Sequence, residues 1–395
     1  MKTLSINLLA LLLLTSTYFV QAQAPDFAEL GKRIATTSAN IKPGDVVVIY
    51  GGKHTIDLME AIAVEAQKQG GLVNLLLTTD PISYSLFHDV PDEYLKMDRG
   101  NYFKEWFKEI DVWIGLPSEE NFQMIYKDVP EEKFAMVRKA NESLNNSLND
   151  SKLRGVFVTY PSAYQAADAG LDFGTFEKMQ WAAVNADYSK IGAQAKKLES
   201  MLMNSKTVKI TTPGGTDLTF SVNGRPCFID DGIVTEGDAQ KPLLFQRTVS
   251  LPGGSIYTTT IENSGKGKVV VAKDKCNYEP VRNITCEFKD GVMQNLKAGE
   301  GQACLTDVFK LQKGDYNKIS AFSIGLNPAL KVMEKGDQDF RWDTAAGMVY
   351  LVIGDNSIFG GQNKVEGQFS YSFPLTDATV SIDGVVVVEK GALKL

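Results

Sequence analysis

Histidine is the side chain that most often ligates a metal ion or acts as a general base near neutral pH. The chain has two histidines in 395 residues, His54 and His88, and both lie early. Histidine chemistry is therefore excluded from the C-terminal half. The loop Gly51-Gly52-Lys53-His54 follows a predicted strand and opens a predicted helix, where phosphate-binding loops lie. It lacks the spacing and the hydroxyl residue of a P-loop, so we interpret it as a helix entry and both histidines as solvated or capping residues.

Nucleophilic and thiol chemistry has equally little support. The chain has no Gly-x-Ser-x-Gly elbow and no His-Glu-x-x-His helix, so it carries no standard hydrolase signature. Its four cysteines lie in the C-terminal half, and none forms a Cys-x-x-Cys pair: Cys227, Cys276, Cys286 and Cys304. In an oxidising compartment they can form up to two disulfides in any of three pairings, and free buried thiols are the alternative.

The pattern of predicted helices and strands that must position these residues changes near residue 205. Before it, segments with helical spacing alternate with short apolar runs at 46–49, 73–77 and 112–115, which predicts βαβ units around a parallel sheet. After it, strands come in pairs around glycine turns. We therefore predict an N-terminal α/β domain, residues 23–205, and a β-rich α+β C-terminal domain, residues 206–395, with a cleft between them.

Two local predictions can be compared with the structure directly. Asn141 to Ser151, after the helix that begins at Glu131, is rich in Asn, Ser and Asp and predicts a solvated turn. Gln368 to Phe373 alternates polar and aromatic side chains, which predicts a strand with Gln368 and Ser370 on the same face.

Residues 1–22 have the composition of a secretory signal peptide, with Lys2, an apolar run from Leu8 to Leu14 and a small-residue cleavage site at Ala22. The apolar run is too short for a bilayer span, and no later run reaches that length. The formal net charge of −7 argues against nucleic acid as a partner, since that would call for basic patches. We expect a secreted or periplasmic protein with no membrane span and no nucleic-acid partner.

Six groups of residues in the C-terminal region carry a more specific signal. They are Gly215 to Phe220, Gly224-Arg225, Leu251-Pro252-Gly253-Gly254, Ile324 to Pro328, Ile353 to Asn356 with Phe359 to Asn363, and Ile382-Asp383-Gly384. In this order and spacing they resemble the landmarks of the aminopeptidase T family of metallopeptidases, which includes leucyl aminopeptidase T and aminopeptidase S. The resemblance covers nearly the whole mature chain. It implies a homodimer, and a cleft in which two divalent metal ions activate water to release N-terminal residues from peptides.

The resemblance also implies where the metal ligands should stand, and this chain has replaced all of them. The family's two glutamates fall on Ser255 and Ala321, one histidine falls on Tyr350, and a closing His-x-Asp pair falls on Gln368 and Ser370. Divalent metal ions need anionic or neutral nitrogen ligands, whereas alanine has no donor atom and serine and glutamine are neutral. We therefore expect no catalytic residue, no metal and no cofactor at these positions.

The leading hypothesis is a non-catalytic aminopeptidase T-like protein that binds a peptide or a small polar ligand in the degenerate cleft. The first alternative is a divergent metal-dependent aminopeptidase or other hydrolase that releases N-terminal residues. Without histidine, it would need at least three carboxylates converging in one pocket, drawn from Asp230, Asp231, Glu262, Asp355 and Glu366. The second alternative is a structural or interaction scaffold, because a fold can persist without its original site.

Overall fold

The structure is a computed structural model that describes residues 25–395 except residues 99, 277, 278, 332, 336, 337, 341 and 342. The predicted signal peptide lies outside the described residues. Within them, no helix has both the length and the apolar character needed to cross a membrane.

The α-helices are α1 Phe27–Arg33, α2 Ile56–Lys68, α3 Asp80–His88, α4 Asp92–Leu95, α5 Gly100–Lys108, α6 Phe122–Tyr126, α7 Glu131–Ala140, α8 Glu142–Asp150, α9 Ala163–Asp168, α10 Phe173–Val184, α11 Tyr188–Met203, α12 Glu236–Ala239 and α13 Gln302–Lys310. The strands are β1 Val46–Gly52, β2 Leu72–Thr78, β3 Val112–Gly115, β4 Arg154–Val158, β5 Val208–Thr211, β6 Asp217–Phe220, β7 Cys227–Asp230, β8 Thr248–Leu251, β9 Ser255–Thr259, β10 Lys266–Cys276, β11 Glu279–Lys289, β12 Val292–Lys297, β13 Ile319–Gly325, β14 Met333–Lys335, β15 Gln338–Phe340, β16 Val349–Gly354, β17 Ser370–Leu375, β18 Thr379–Ile382, β19 Val385–Glu389 and β20 Ala392–Leu393.

A five-stranded parallel sheet with the order β2-β1-β3-β4-β8 organises the N-terminal region. Strand β1 is an apolar run because both of its faces are covered. Val47 and Ile49 pack in the main core with helix α2, and Val48 packs in a separate cluster with Phe107 of helix α5. This arrangement confirms the predicted parallel sheet with helices. Strand β8 lies beyond residue 205 in the sequence, yet it pairs in parallel with β4, so the chain returns to the first sheet.

The C-terminal region is β-rich, as predicted. An eight-stranded sheet has the order β12-β11-β10-β6-β5-β18-β19-β20, and a second, five-stranded sheet has the order β17-β16-β13-β9-β7. The two sheets pack through buried aromatic rings, with Phe220 of β6 and Phe322 of β13 in an edge-to-face contact at 5.1 Å between centroids. The five-stranded sheet carries most of the candidate site.

The predicted turn over Asn141 to Ser151 is wrong, because most of this segment forms helix α8. Leu144 and Leu148 lie one helical turn apart and pack against the cluster that contains Val48. Their burial outweighs the weak helix propensity of the intervening Asn and Ser residues.

One disulfide joins Cys276, at the end of β10, to Cys304 in α13, and it closes a sequence separation of 28 residues. Cys227 and Cys286 are free thiols. Burial raises the pKa of the Cys227 thiol to about 11 and that of Cys286 to about 12. Both thiols therefore stay protonated near neutral pH, a state that is a poor nucleophile.

Candidate functional site

One face of the C-terminal five-stranded sheet, β17-β16-β13-β9-β7, forms a wall of hydroxyl groups. Alternate side chains of a strand lie on the same face, so Ser255 and Tyr257 of β9 point the same way. Tyr257 pairs across the sheet with Ser323, which in turn pairs with Tyr350. Together with Ser372 of β17 they line a cavity of about 440 Å³.

Two further cavities continue from this wall toward the N-terminal region. One of about 310 Å³ is lined by Gln180 of α10 and Asp230 of β7, and the other is a groove of about 750 Å³. Ser255 and Asp343 line all three cavities. The three cavities therefore form one continuous cleft, and Ser255 lies where they meet.

The structure brings together some of the five positions at which the resemblance places metal ligands. Ser255 and Tyr350 line the hydroxyl cavity. Ala321 is 4% exposed and pairs with Thr259 and Val352 within the sheet, two residues from the cavity-lining Ser323. Its methyl group offers no atom to a ligand.

The prediction of a strand that starts at Gln368 is wrong. Gln368 lies before the strand, so it does not share a strand face with Ser370. Strand β17 begins at Ser370, which pairs with Gly354. Gly367 and Gln368 both have left-handed backbone conformations, with φ of 73° and 58°, in a turn where the Gln368 N–H donates to the Val365 carbonyl at 2.9 Å. This turn places Gln368 before the regular alternation of the strand begins.

The side chains of the hydroxyl cavity do not fit a pair of divalent metal ions. Its polar side chains are hydroxyls apart from the carboxylate of Asp343. Burial raises the pKa of Tyr257, which keeps that phenol neutral. Over the described ranges, no three or more His, Cys, Asp or Glu side chains are grouped so that they could hold a metal ion. A dinuclear centre needs several anionic or imidazole ligands, and this donor set does not supply them.

The carboxylates of the hydrolase alternative are mostly engaged in structural contacts. Asp355 is 8% exposed and accepts hydrogen bonds from Ser357 and from the Val365 N–H at 2.7 Å. Two others form ion pairs in separate places, Glu262 with Arg225 at 2.5 Å and Glu366 with Lys313 at 3.3 Å. Asp230 and Asp231 alone of this set line one cavity. Two of the five candidate carboxylates thus line one cavity, whereas the hydrolase alternative needs at least three.

The carboxylate of Asp230 lies in a strongly perturbed environment. It accepts hydrogen bonds from the Ser250 N–H at 3.1 Å and the Gly232 N–H at 3.3 Å. Part of the residue's surface stays open to the cleft, but protein surrounds the carboxylate. This burial, with a smaller contribution from the neighbouring charge of Asp231, raises the pKa of Asp230 to about 7.

The two histidines lie away from the hydroxyl cavity. His88 Nε2 lies 2.8 Å from the Ile125 carbonyl in the last turn of α6, in agreement with a capping role. His54 is half-buried against Tyr160, its Nε2 has no hydrogen-bond partner among the described residues, and burial lowers its pKa. The His54 ring is therefore only partly solvated, and its Nε2 lies on the buried side.

The sequence did not point to several residues of the cleft. Tyr257 could have been found by counting two residues along the strand from Ser255. Gln180 lies on α10, is 2% exposed and has an amide oxygen with no hydrogen-bond partner in the part of the chain that is described. Gln180 and Asp343 belong to distant parts of the sequence and to no motif, so only the folded chain brings them to the cleft.

Comparisons with known proteins agree with this architecture. The family model of the thermophilic metalloproteases (M29) matches residues 22–325, and the chain belongs to this family. Among solved structures, wild-type AmpT from Thermus thermophilus is similar, with a TM-score of 0.70 and 14% identity over 93% of this chain and 99% of that chain. The sequence resemblance to aminopeptidase T is thereby confirmed.

A second solved structure shares the fold. It is 2,5-dihydroxypyridine dioxygenase from Pseudomonas putida KT2440, with a TM-score of 0.58 and 14% identity over 93% of this chain and 96% of that chain. At such identity both structures show the fold alone. The comparison with curated proteins gave no match. The matched range of the family model ends at Gly325, before Tyr350, Gln368 and Ser370.

Proposed function

We propose that this chain is an exported, non-catalytic member of the family that binds a peptide or a small polar ligand in its cleft. The observation that carries the proposal is the hydroxyl wall. Ser255 and Tyr350 stand where the resemblance implies a glutamate and a histidine, and both line the same cavity as Ser323. A neutral hydroxyl wall can donate and accept hydrogen bonds, but it cannot balance the charge of two divalent ions.

Unsatisfied polar atoms around the cleft support ligand binding over a purely structural role. The Tyr257 hydroxyl and the Gln180 amide oxygen are inaccessible to solvent, and neither has a hydrogen-bond partner among the described residues. Buried polar groups are nearly always paired in native proteins, and an unpaired group destabilises the fold. Both residues line the cleft, so a ligand that reaches these atoms after a side-chain shift would supply the missing partners.

Export is supported by the signal-peptide composition of residues 1–22 and by the Cys276–Cys304 disulfide, since disulfides persist in oxidising compartments. The homodimer that the resemblance implies belongs to the same proposal. Sedimentation of the mature protein measures its oligomeric state, and a monomer at all concentrations would contradict this part.

The catalytic part is tested by measuring metal content and hydrolysis of a panel of aminoacyl substrates. We expect neither stoichiometric metal nor turnover above background. Stoichiometric zinc, cobalt or manganese together with turnover would overturn the proposal in favour of a divergent aminopeptidase.

The binding part is tested by thermal shift against peptides, amino acids and sugars, because a ligand of the folded state raises its apparent stability. Tyr350→Phe should weaken the response to a bound compound. Tyr102→Phe is the matched control, since Tyr102 is 77% exposed and does not line the cleft. No response to any compound would favour the scaffold alternative.

A further inference from the structure

Strand β2 forms an open edge of the N-terminal parallel sheet. It is an outermost strand, and it pairs with β1 over all seven of its residues. The Leu72 N–H donates to the Asp45 carbonyl at 2.8 Å, so the even-numbered residues direct their backbone groups toward β1. The N–H and C=O groups of Val73, Leu75 and Leu77 therefore point to the opposite edge, where the described part of the chain supplies no further strand.

This edge lacks the features with which soluble proteins prevent edge-to-edge association. Strand β2 contains no charged residue, no proline and no glycine, and its register with β1 has no bulge. Leu72, Leu75 and Leu77 are 60%, 44% and 51% exposed. A long, regular and apolar edge of this kind is a template for pairing with a further strand.

A second copy of β2 fits this edge in one antiparallel register. A two-fold axis normal to the sheet at Leu75, the middle residue of the strand, places Val73 opposite Leu77 of the second copy. These are the residues whose backbone groups point outward, so every such pair exchanges both of its N–H···O bonds. A shift by one residue would place outward groups opposite inward ones. A shift by two residues would leave Val73 or Leu77 beyond the end of the facing strand.

The side chains are complementary in the same register. Residues directly opposite each other in an antiparallel pair lie on one face, so Val73, Leu75 and Leu77 of the two copies form a single apolar ladder. On the other face, the exposed Leu72 lies opposite Thr78. Because β2 has no charged residue, the pairing sets no like charges against each other, although the whole chain has a formal net charge of −7.

From this register we propose that β2 is the surface through which two copies of the chain associate. The two strands pair in antiparallel orientation through Val73, Leu75 and Leu77, and the two five-stranded parallel sheets join into one sheet of ten strands. The inference rests on the proposed function only in that a homodimer forms. It adds the surface, the symmetry and the register of the contact, and it does not depend on what the cleft binds.

The first experiment compares the sedimentation of wild type, Leu75→Lys and Leu311→Lys. We expect a wild-type dimer, and a dissociation constant at least about a hundredfold higher for Leu75→Lys, because two ammonium groups would face each other at the axis. Leu311 follows α13 and is 78% exposed, so its substitution is the matched control and should leave the dimer intact. A Leu75→Lys dimer as stable as wild type would overturn the inference and leave the homodimer standing, whereas a wild-type monomer at all concentrations would overturn both.

The second experiment tests the register by a cross-link, which does not depend on a loss of association. The Cα atoms of a hydrogen-bonded antiparallel pair lie about 5.5 Å apart, within the range that a disulfide spans. Leu75→Cys should therefore form a disulfide-linked dimer under mild oxidation, as measured by non-reducing electrophoresis. Leu72→Cys is the control on the same strand, because this register separates its two copies by roughly 20 Å. Failure of Leu75→Cys to cross-link, or equal cross-linking of Leu72→Cys, would refute the inference.

Discussion

Asp230→Asn should stabilise the folded protein, and the gain should grow with pH. Burial raises the folded-state pKa of this carboxyl to about 7, against an ordinary value of 3.8. Below pH 3.8 the group is protonated whether the chain is folded or not, so the pKa difference has no effect. Between these values the folded state binds more protons than the unfolded state, and stability therefore falls as pH rises. Each pKa unit corresponds to about 1.36 kcal/mol, which gives at most about 4 kcal/mol once pH exceeds 7.

The assay is urea denaturation of wild type and variant at pH 5, 6, 7 and 8, followed by tryptophan fluorescence. Asparagine resembles the protonated carboxyl in being neutral, so the variant should be more stable by about 2 kcal/mol at pH 5 and about 4 kcal/mol at pH 8. Asp217→Asn, on the exposed end of β6, is the matched control and should show no comparable rise. A difference that stays constant across this range, or a variant less stable than wild type at pH 8, would refute the reasoning.

Three further predictions concern the stability of the fold. Replacing Cys276 and Cys304 together by serine should lower the free energy of unfolding by about 3–4 kcal/mol, from loop-closure entropy, as measured by denaturation without reductant. Glu262→Ala leaves the mostly buried guanidinium of Arg225 without its carboxylate partner and should cost about 3 kcal/mol, and a double-mutant cycle with Arg225→Met should recover part of that loss. Leu144→Ala should cost about 2 kcal/mol and lower the helical circular dichroism if α8 is held by its apolar contacts.

Strands and helices could be predicted where their burial produces a regular pattern of apolar residues in the sequence. Strand β1 reads as an apolar run because both of its faces are covered, and that pattern predicts a parallel sheet. Strand β8 has only four residues, and nothing in them indicates a partner as distant as β4. Helix α8 was not predicted because the polar composition of its segment indicates a turn, whereas the packing of Leu144 and Leu148 stabilises a helix. The turn at Gln368 was missed because a left-handed backbone at a non-glycine residue leaves no periodic signal.

The candidate site was predicted only where the family's order of residues could be followed. Ser255 and Tyr350 were found in this way, and they line one cavity. Gln180, Asp343 and Phe359 could not be found, because each comes from a different part of the chain and reaches the cleft through tertiary packing.

The substitutions that the resemblance implies replace negative side chains by neutral ones, which has a consequence for folding. Where the sequence resemblance places three carboxylates, this chain has Ser255, Ala321 and Ser370. Carboxylates that face one another without a cation repel, so a metal site that kept them would be destabilised when empty. The neutral side chains remove that repulsion, and the fold should not depend on divalent metal. We therefore expect EDTA, and equally added zinc, to shift the melting temperature by less than about 1 °C, because a ligand that does not bind the folded state cannot stabilise it. A clear fall in melting temperature with EDTA that zinc restores would show that the described side chains hold a metal after all.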